Sequence, residues 1–256
     1  MSDTLLRTKL FVPQVRPSLV PRPRLFAKLD SGLEAKLTLV SAPAGYGKTT
    51  LVADWLNNSA AANDFQFCWV SLDENDNDFA RFLAYTIAAL NTIEADAALS
   101  VVELMGSRNN PPVEALVTLL INEMAQIDEP FVVVLDDYHV IKSEPVHQAL
   151  SFLLDHLPPQ MRLILISRAD PALPVARLRG QGQLVDVRQK DLRFSAEEAA
   201  TFLNQVMHLD LTAEDIRLLN ERTEGWVAGL QMAAVSIQEQ EDSSAFIHAF
   251  TGSNRY

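Results

Sequence analysis

Cysteine is almost absent from this chain, with one residue, Cys68, in 256. A lone cysteine excludes an internal disulfide and a cysteine-rich metal site, and it fits a reducing compartment. Its setting, Phe65-Gln66-Phe67-Cys68-Trp69-Val70, reads as a small buried hydrophobe in a strand. Basic charge is also short: 21 Lys and Arg stand against 33 Asp and Glu, a net charge of −12. A nucleic-acid backbone needs clustered positive charge, so any DNA contact is expected from a domain outside this chain. No apolar run approaches the ~20 residues of a membrane-crossing helix, and the first residues lack the apolar core of a secretion signal. His139, His147 and His156 share no ligand spacing with acids or cysteines; they are expected on the surface or on helix faces, with no zinc site. A Gly-x-Ser-x-Gly nucleophile motif and internal repeats are missing as well. What remains is a soluble, cytoplasmic chain, long enough for one large or two small domains.

The segment Lys36-Leu37-Thr38-Leu39-Val40-Ser41-Ala42-Pro43-Ala44-Gly45-Tyr46-Gly47-Lys48-Thr49-Thr50 carries most of the information. It reads as a buried strand, a glycine-bearing loop, then Gly-Lys-Thr opening a helix, which is the phosphate-binding P-loop arrangement. Gly45 and Gly47 permit backbone conformations closed to other residues and let N–H groups approach an anion. The helix start adds its positive dipole end, Lys48 a mobile charge and Thr49 a hydroxyl for Mg²⁺. Ala44, Tyr46 and Thr50 complete the expected phosphate-binding set. The general pattern has glycine where this chain has Ala42, and alanine is the smallest alternative.

Residues 1–30 are marked by Pro13, Pro17, Pro21 and Pro23, which excludes a long helix. An extended segment across the sheet edge is expected, followed by a short helix near Leu25–Ser31. Strand-like runs then occur at Leu37–Ser41, Phe67–Leu72, Phe131–Leu135, Leu163–Ser167 and Leu184–Val187. Helical patterns lie between them near Thr49–Asn58, Phe79–Asn91, Val113–Ile127 and Val146–Leu157. Continuous apolar strands alternating with helices predict an α/β fold, a parallel sheet covered by helices on both faces. The acidic loop Asp73–Asp78 is best explained by helix capping. Past Phe194 the strand signal ends. Ser195-Ala196-Glu197-Glu198 has the form of a capping box, and Ala196–Asn204, Ala213–Arg222 and Trp226–Gln238 are helical in pattern. The expected organisation is an N-terminal segment 1–30, a nucleotide-binding domain 31–192 and a small all-helical lid domain 193–256. The final Thr251–Tyr256 offers no convincing stop, so the chain is expected to be part of something longer.

A P-loop needs a partner on the metal side. Phe131-Val132-Val133-Val134-Leu135-Asp136-Asp137 supplies one, an apolar strand ending in two carboxylates. Asp136 would hold Mg²⁺ with Thr49, and Asp137 could orient or deprotonate an attacking water. Adjacent acids at a strand end also form turns, which leaves the catalytic role of Asp137 open. Arg162-Leu163-Ile164-Leu165-Ile166-Ser167-Arg168 is a further buried strand whose end is expected beside the P-loop. Ser167 or Arg168 could sense a γ-phosphate there, or Arg168 could neutralise Asp170 or Asp136.

Pro21-Arg22-Pro23-Arg24-Leu25, Ala42–Thr50, Ser71-Leu72-Asp73, Leu135-Asp136-Asp137-Tyr138-His139, Ser167-Arg168-Ala169-Asp170-Pro171, Leu192-Arg193-Phe194 and Glu224-Gly225-Trp226-Val227-Ala228-Gly229-Leu230-Gln231 together resemble one family. It is the nucleotide-binding part of the MalT-like, ATP-dependent LuxR-type transcriptional regulators, within the STAND class of signal-transducing ATPases. Ala42 is tolerated in that family's loop. The resemblance implies an ATPase core with a helical lid, slow ATP hydrolysis, and sensor and DNA-binding parts beyond this chain. It implies a closed ADP form and an ATP form that self-associates under an inducer of unknown identity. It also implies adenine nucleotide with Mg²⁺ as cofactors, Arg168 as sensor, and Arg22 and Arg24 in the segment approaching the adenine side. The Gly225–Gln231 stretch is expected to reflect close helix packing. Two other readings start from the same loop. A metabolic P-loop kinase or ATPase would need clustered Arg or Lys in its lid, and the tail here is acidic. A ring-forming remodelling ATPase would need an arginine offered across a subunit interface.

Overall fold

The five apolar runs form one parallel sheet in a computed structural model that describes residues 5–107, 111–240 and 246–247. The strands are β1 (Leu37–Ser41), β2 (Gln66–Ser71), β3 (Phe131–Asp136), β4 (Met161–Ser167) and β5 (Leu184–Arg188), in the order β2-β3-β4-β1-β5. Helices α1 (Pro23–Asp30), α2 (Lys48–Asn58), α3 (Phe79–Leu90), α4 (Leu99–Met105), α5 (Val113–Met124), α6 (Glu144–Asp155) and α7 (Val175–Gly180) alternate with the strands. The chain continues through α8 (Gln189–Leu192), α9 (Ala196–Ala200), α10 (Ala213–Arg222) and α11 (Val227–Gln238).

The strands are apolar on both sides because both faces are covered. Successive side chains point to opposite faces, so β3 sends Phe131, Val133 and Leu135 into one core and Val132 and Val134 into the other. The first core is closed by α3 to α7; the second holds Leu25 and Leu29 of α1 and Val52 and Trp55 of α2. A third core lies in the helical tail, where Phe202, Leu203, Leu219, Leu230 and Ala234 pack together. Val20 from the N-terminal segment enters that tail core, which ties this segment to the helical tail.

Several local details differ from the sequence reading. The first helix begins at Pro23, because proline's fixed φ suits the first helical position. Arg7–Leu10 forms a 3₁₀ turn within the segment expected to be extended. It packs beside edge strand β2, and Lys9 is buried there against Asp76, with Asp73 at 3.0 Å and the Tyr85 ring below it. Helix α4 was not anticipated. The helix expected at Ala196–Asn204 is α-helical only to Ala200 and continues as a π-helix over Thr201–Val206. In the acidic loop, Asp73 accepts from the Asn75 amide and Asp78 from the Arg81 amide, and Asp76 is fully buried. His147 lies on a helix face, one of its two expected settings, and is buried there on α6; its Nδ1 meets the Tyr138 hydroxyl at 2.7 Å. Thr251–Tyr256 lies outside the described residues. Among the described residues, no helix is long and apolar enough to cross a membrane.

Candidate functional site

Strand register brings the start of the P-loop, Asp136 and Ser167 to one end of the sheet, the carboxyl ends of β1, β3 and β4. Ser41, Ser167 and Arg188 stand level across β4-β1-β5, and Asp136 ends β3 opposite Ser71 of β2. The P-loop therefore leaves β1 with β4, and so Arg168, on one side of it.

The loop itself turns through two glycines at positive φ, Gly45 at +78° and Gly47 at +72°. Gly47 is the N-cap of α2 and has no side chain to cap it. The first-turn amides of α2 thus have no intrahelical acceptor. Among the described residues, the Gly45 and Tyr46 amides also donate to no protein acceptor. A run of unclaimed N–H groups at a helix start suits a phosphate. Lys48 is buried, and its Nζ donates to the Pro43 carbonyl at 3.0 Å. Burial first, and the charge of Arg168 next, lower its pKa, while Asp136 and Asp137 oppose that shift.

Thr49 and Asp136 meet directly: the Thr49 hydroxyl donates to both carboxylate oxygens, at 3.1 and 3.0 Å. Burial, and then the neighbouring Asp137 charge, push the Asp136 carboxyl up to about 6. Its negative charge is under-compensated by the protein alone. A hydroxyl beside such a carboxylate fits Mg²⁺, which takes oxygen ligands and fills its shell with waters and phosphate oxygens. Asp137 follows at φ +55°, with its carboxyl 48% exposed and its amide donating to Asp136 Oδ1 at 2.8 Å.

Arg168, just past β4, is exposed and close enough for its charge to act on Lys48 and on His139. The acids it was offered in the alternative reading are engaged elsewhere, since Asp170 pairs with Arg188 and Asp136 with Thr49. Ser167 is buried and turned back onto the Ala169 carbonyl. His139, expected on the surface or on a helix face, lies in a 3₁₀ turn 3.7 Å from the Asp137 carboxylate; its Nδ1 is buried without a hydrogen-bond partner. Burial, then Arg168, lower its pKa.

Arg22 and Arg24 hold the helical tail to the body of the protein. Both donate to the Glu198 carboxylate, and Arg22 adds the carbonyls of Leu192 and Arg193 at 2.9 and 3.0 Å. Arg24 adds the carbonyls of Asp191 and Arg193. A cavity of about 390 Å³ opens between the N-terminal segment, the P-loop and the tail, lined by Arg22, Tyr46, Thr50, Leu51, Phe202 and Val227 among others. Arg24 is not among its lining residues.

The contacts that sequence reasoning missed come from the tail and from α8 just before it. Trp226 Nε1 donates to the Ala44 carbonyl at 3.0 Å, and the Ala228 amide to the Gly45 carbonyl at 3.2 Å. Gln189 donates to the Tyr46 hydroxyl at 2.7 Å. Gly225 is a close-packing position, as expected, because a Cβ there would meet the Phe194 backbone at 2.7 Å. No local pattern announces Trp226 or Gln189, since each acts on a loop far away in sequence.

A parallel sheet with β4 between the P-loop strand and the Asp136 strand, and with loop and acid facing each other, defines an ATP-binding P-loop NTPase. The chain belongs to the AAA ATPase domain family, whose pattern matches residues 24–166. It is similar to the HTH-type transcriptional regulator MalT of Serratia proteamaculans, with 37% identity over 240 residues, 94% of this chain. The MalT of Yersinia pestis is 37% identical over 241 residues, also 94% of this chain. The chain spans 26% of the length of these relatives. Among solved structures, Cdc6p from Pyrobaculum aerophilum superposes with a TM-score of 0.53 at 15% identity, covering 91% of this chain and 65% of that one. That likeness shows the shared fold.

Proposed function

We propose that this chain is the ATP-binding, slowly hydrolysing signal module of a transcriptional regulator, switching between an ADP-closed and an ATP-open form. The observation that carries the reading is the Thr49–Asp136 pair set against a loop of unclaimed amides, in a chain 37% identical to MalT regulators over 94% of its length.

Roles follow from position. The amides of Gly45 through Thr49 bind phosphate oxygens, and Lys48 exchanges the Pro43 carbonyl for one of them. Thr49 and Asp136 hold Mg²⁺, which when bound neutralises charge on the β- and γ-phosphates. Asp137 orients the attacking water, and Arg168 reads the γ-phosphate through its planar fork. The 390 Å³ cavity takes the nucleoside, with Arg22 in its wall. The helical tail is the moving element, since it touches both the P-loop and the N-terminal segment. A ligand shifts such a switch only by as much as it prefers one form, so ATP must bind the open form better than the closed one. DNA contact, inducer sensing and ATP-dependent self-association in the cytoplasm involve parts of a longer protein.

The test is mass identification of nucleotide released from denatured protein, with Lys48→Ala as control. Wild type is expected to carry or bind adenine nucleotide and the variant to lose it; equal binding by both would overturn the assignment. Turnover faster than ~1 s⁻¹ without any effector would favour a metabolic enzyme, because unassisted switch NTPases run far slower.

A further inference from the structure

The helical tail does more than cover the nucleoside cavity: it grips the back of the phosphate loop. Helix α11 has no side-chain cap at its N-terminus. One of its free first-turn donors, the Ala228 amide, is instead satisfied by the Gly45 carbonyl at 3.2 Å. Two residues earlier, Trp226 Nε1 donates to the Ala44 carbonyl at 3.0 Å. The Trp226 ring is 6.4 Å from that of Tyr46, and it packs against the core beneath α1 and α2 although it belongs to the tail. The fit is close at Gly45, where an added Cβ would stand 2.7 Å from the Ala228 side chain and 2.8 Å from Trp226 Nε1.

The geometry of the peptide unit turns these two bonds into a constraint on the site. In a planar trans peptide, C=O and N–H point in opposite directions. The Ala44 carbonyl belongs to the same peptide unit as the Gly45 amide, and the Gly45 carbonyl to that of the Tyr46 amide. Both carbonyls are drawn toward the tail, so both amides are aimed away from it. Neither amide has a protein acceptor among the described residues.

We infer that Trp226 is a positioning residue for the phosphate loop, holding with the Ala228 amide the two peptide units whose N–H groups bind phosphate. This rests on the P-loop reading above and deepens it. Phosphate on the N–H side polarises the same peptides and strengthens their carbonyls as acceptors for the tail. Tail docking and phosphate binding are then linked, each favouring the other by the same factor.

The test compares wild type, Trp226→Phe and Lys48→Ala. Trp226→Phe keeps a ring and removes the Nε1 donor; its unfolding temperature without ligand checks the fold. Affinities for ADP and for inorganic pyrophosphate are measured by competition against N-methylanthraniloyl-ADP. Pyrophosphate touches the loop without filling the nucleoside cavity. Both ligands are expected to weaken about threefold to tenfold and by the same factor, the effect of one lost hydrogen bond. Loss of ADP affinity with pyrophosphate unchanged would overturn the inference, because Trp226 would then act on the nucleoside cavity alone. Unchanged affinity for both ligands would also overturn it. Failure of ADP to bind wild type, or equal binding by Lys48→Ala, would instead sink the P-loop reading on which the inference rests.

Discussion

Two glycines of one loop, substituted by the same residue, should fail to different degrees. Gly45 and Gly47 both sit at positive φ, +78° and +72°. Alanine in that region costs about 1–2 kcal/mol from its Cβ against the following carbonyl. At Gly47 little else is in the way, since the nearest atom to an added Cβ is Val227 Cγ1 at 3.9 Å, an ordinary contact. Gly47→Ala should therefore cost only the backbone term. At Gly45 the added methyl meets Ala228 Cβ at 2.7 Å and Trp226 at 2.8 and 3.0 Å, so the tail must withdraw. Withdrawal breaks the bonds from Trp226 and Ala228, each worth about 0.5–1.5 kcal/mol. Gly45→Ala should thus cost about 2–5 kcal/mol in all, the sum of these terms. For a chain of this size 1 kcal/mol moves Tm by about 2–4 °C, so the two variants should separate clearly in thermal unfolding without nucleotide. Tryptophan emission adds a local readout, because Trp55 and Trp69 are buried at 0% and 1% exposure and Trp226 is the one at the contact. In a Trp226→Ala, Ala228→Gly background the excess cost at Gly45 should vanish. Equal costs for the two single variants, or an excess that survives in that background, would refute the reasoning.

Two further predictions concern buried acids of opposite behaviour. Burial pushes Glu198 upward, but hydrogen bonds from Arg24 and the Ser195 amide and the charge of Arg22 outweigh it, leaving its pKa below the usual value. Its stabilisation is present above the ordinary glutamate range near about pH 4.3 and is lost as pH falls through the lower folded value. Glu198→Gln keeps the capping box and should destabilise by about 3 kcal/mol at pH 7, the low end for a broken buried pair because Arg22 retains carbonyl acceptors. Urea unfolding should show that gap closing below pH 4; a gap independent of pH would contradict it. Asp136 has the reverse sign: with its carboxyl at about 6, the folded state binds the proton more tightly than the unfolded chain. Its contribution is full below about pH 4 and is lost as pH rises through about 6, so Asp136→Asn should stabilise the nucleotide-free protein at pH 8 by on the order of 2–3 kcal/mol. The same comparison at pH 4 should show almost no gain, and an equal gain at both pH values would rule out the carboxyl as its source.

The fold was legible in the sequence because its central strands are mostly apolar and helical patterns lie between the strands, as a doubly covered parallel sheet requires. Val132 and Val134 against Val133 and Leu135 show why: each pair feeds a different core. Helix boundaries were less legible. The 3₁₀ turn at Arg7–Leu10 is anchored through Lys9 on Asp73 and Asp76, more than sixty residues away, and nothing local requires it. Similarly, the change from α to π at Thr201 has no signal in the sequence.

Within the site, the loop Ala42–Thr50 and the strand end at Asp136 could be read locally, because phosphate and Mg²⁺ chemistry demand particular residue types at fixed spacing on one strand, loop and helix. The direct Thr49–Asp136 contact spans 87 residues and depends on β4 lying between β1 and β3. Arg22 and Arg24 stood out in the sequence as charges near prolines; packing is what sets them on Glu198 and on the carbonyls of Asp191–Arg193. The sequence alone was enough to predict a phosphate loop at Gly45–Thr49 and an acid at the end of another strand, since backbone freedom and charge are properties of residues. Only the tertiary structure decided that Trp226 and Ala228 hold that loop from behind, because a carbonyl's partner is chosen by which surface folds against it.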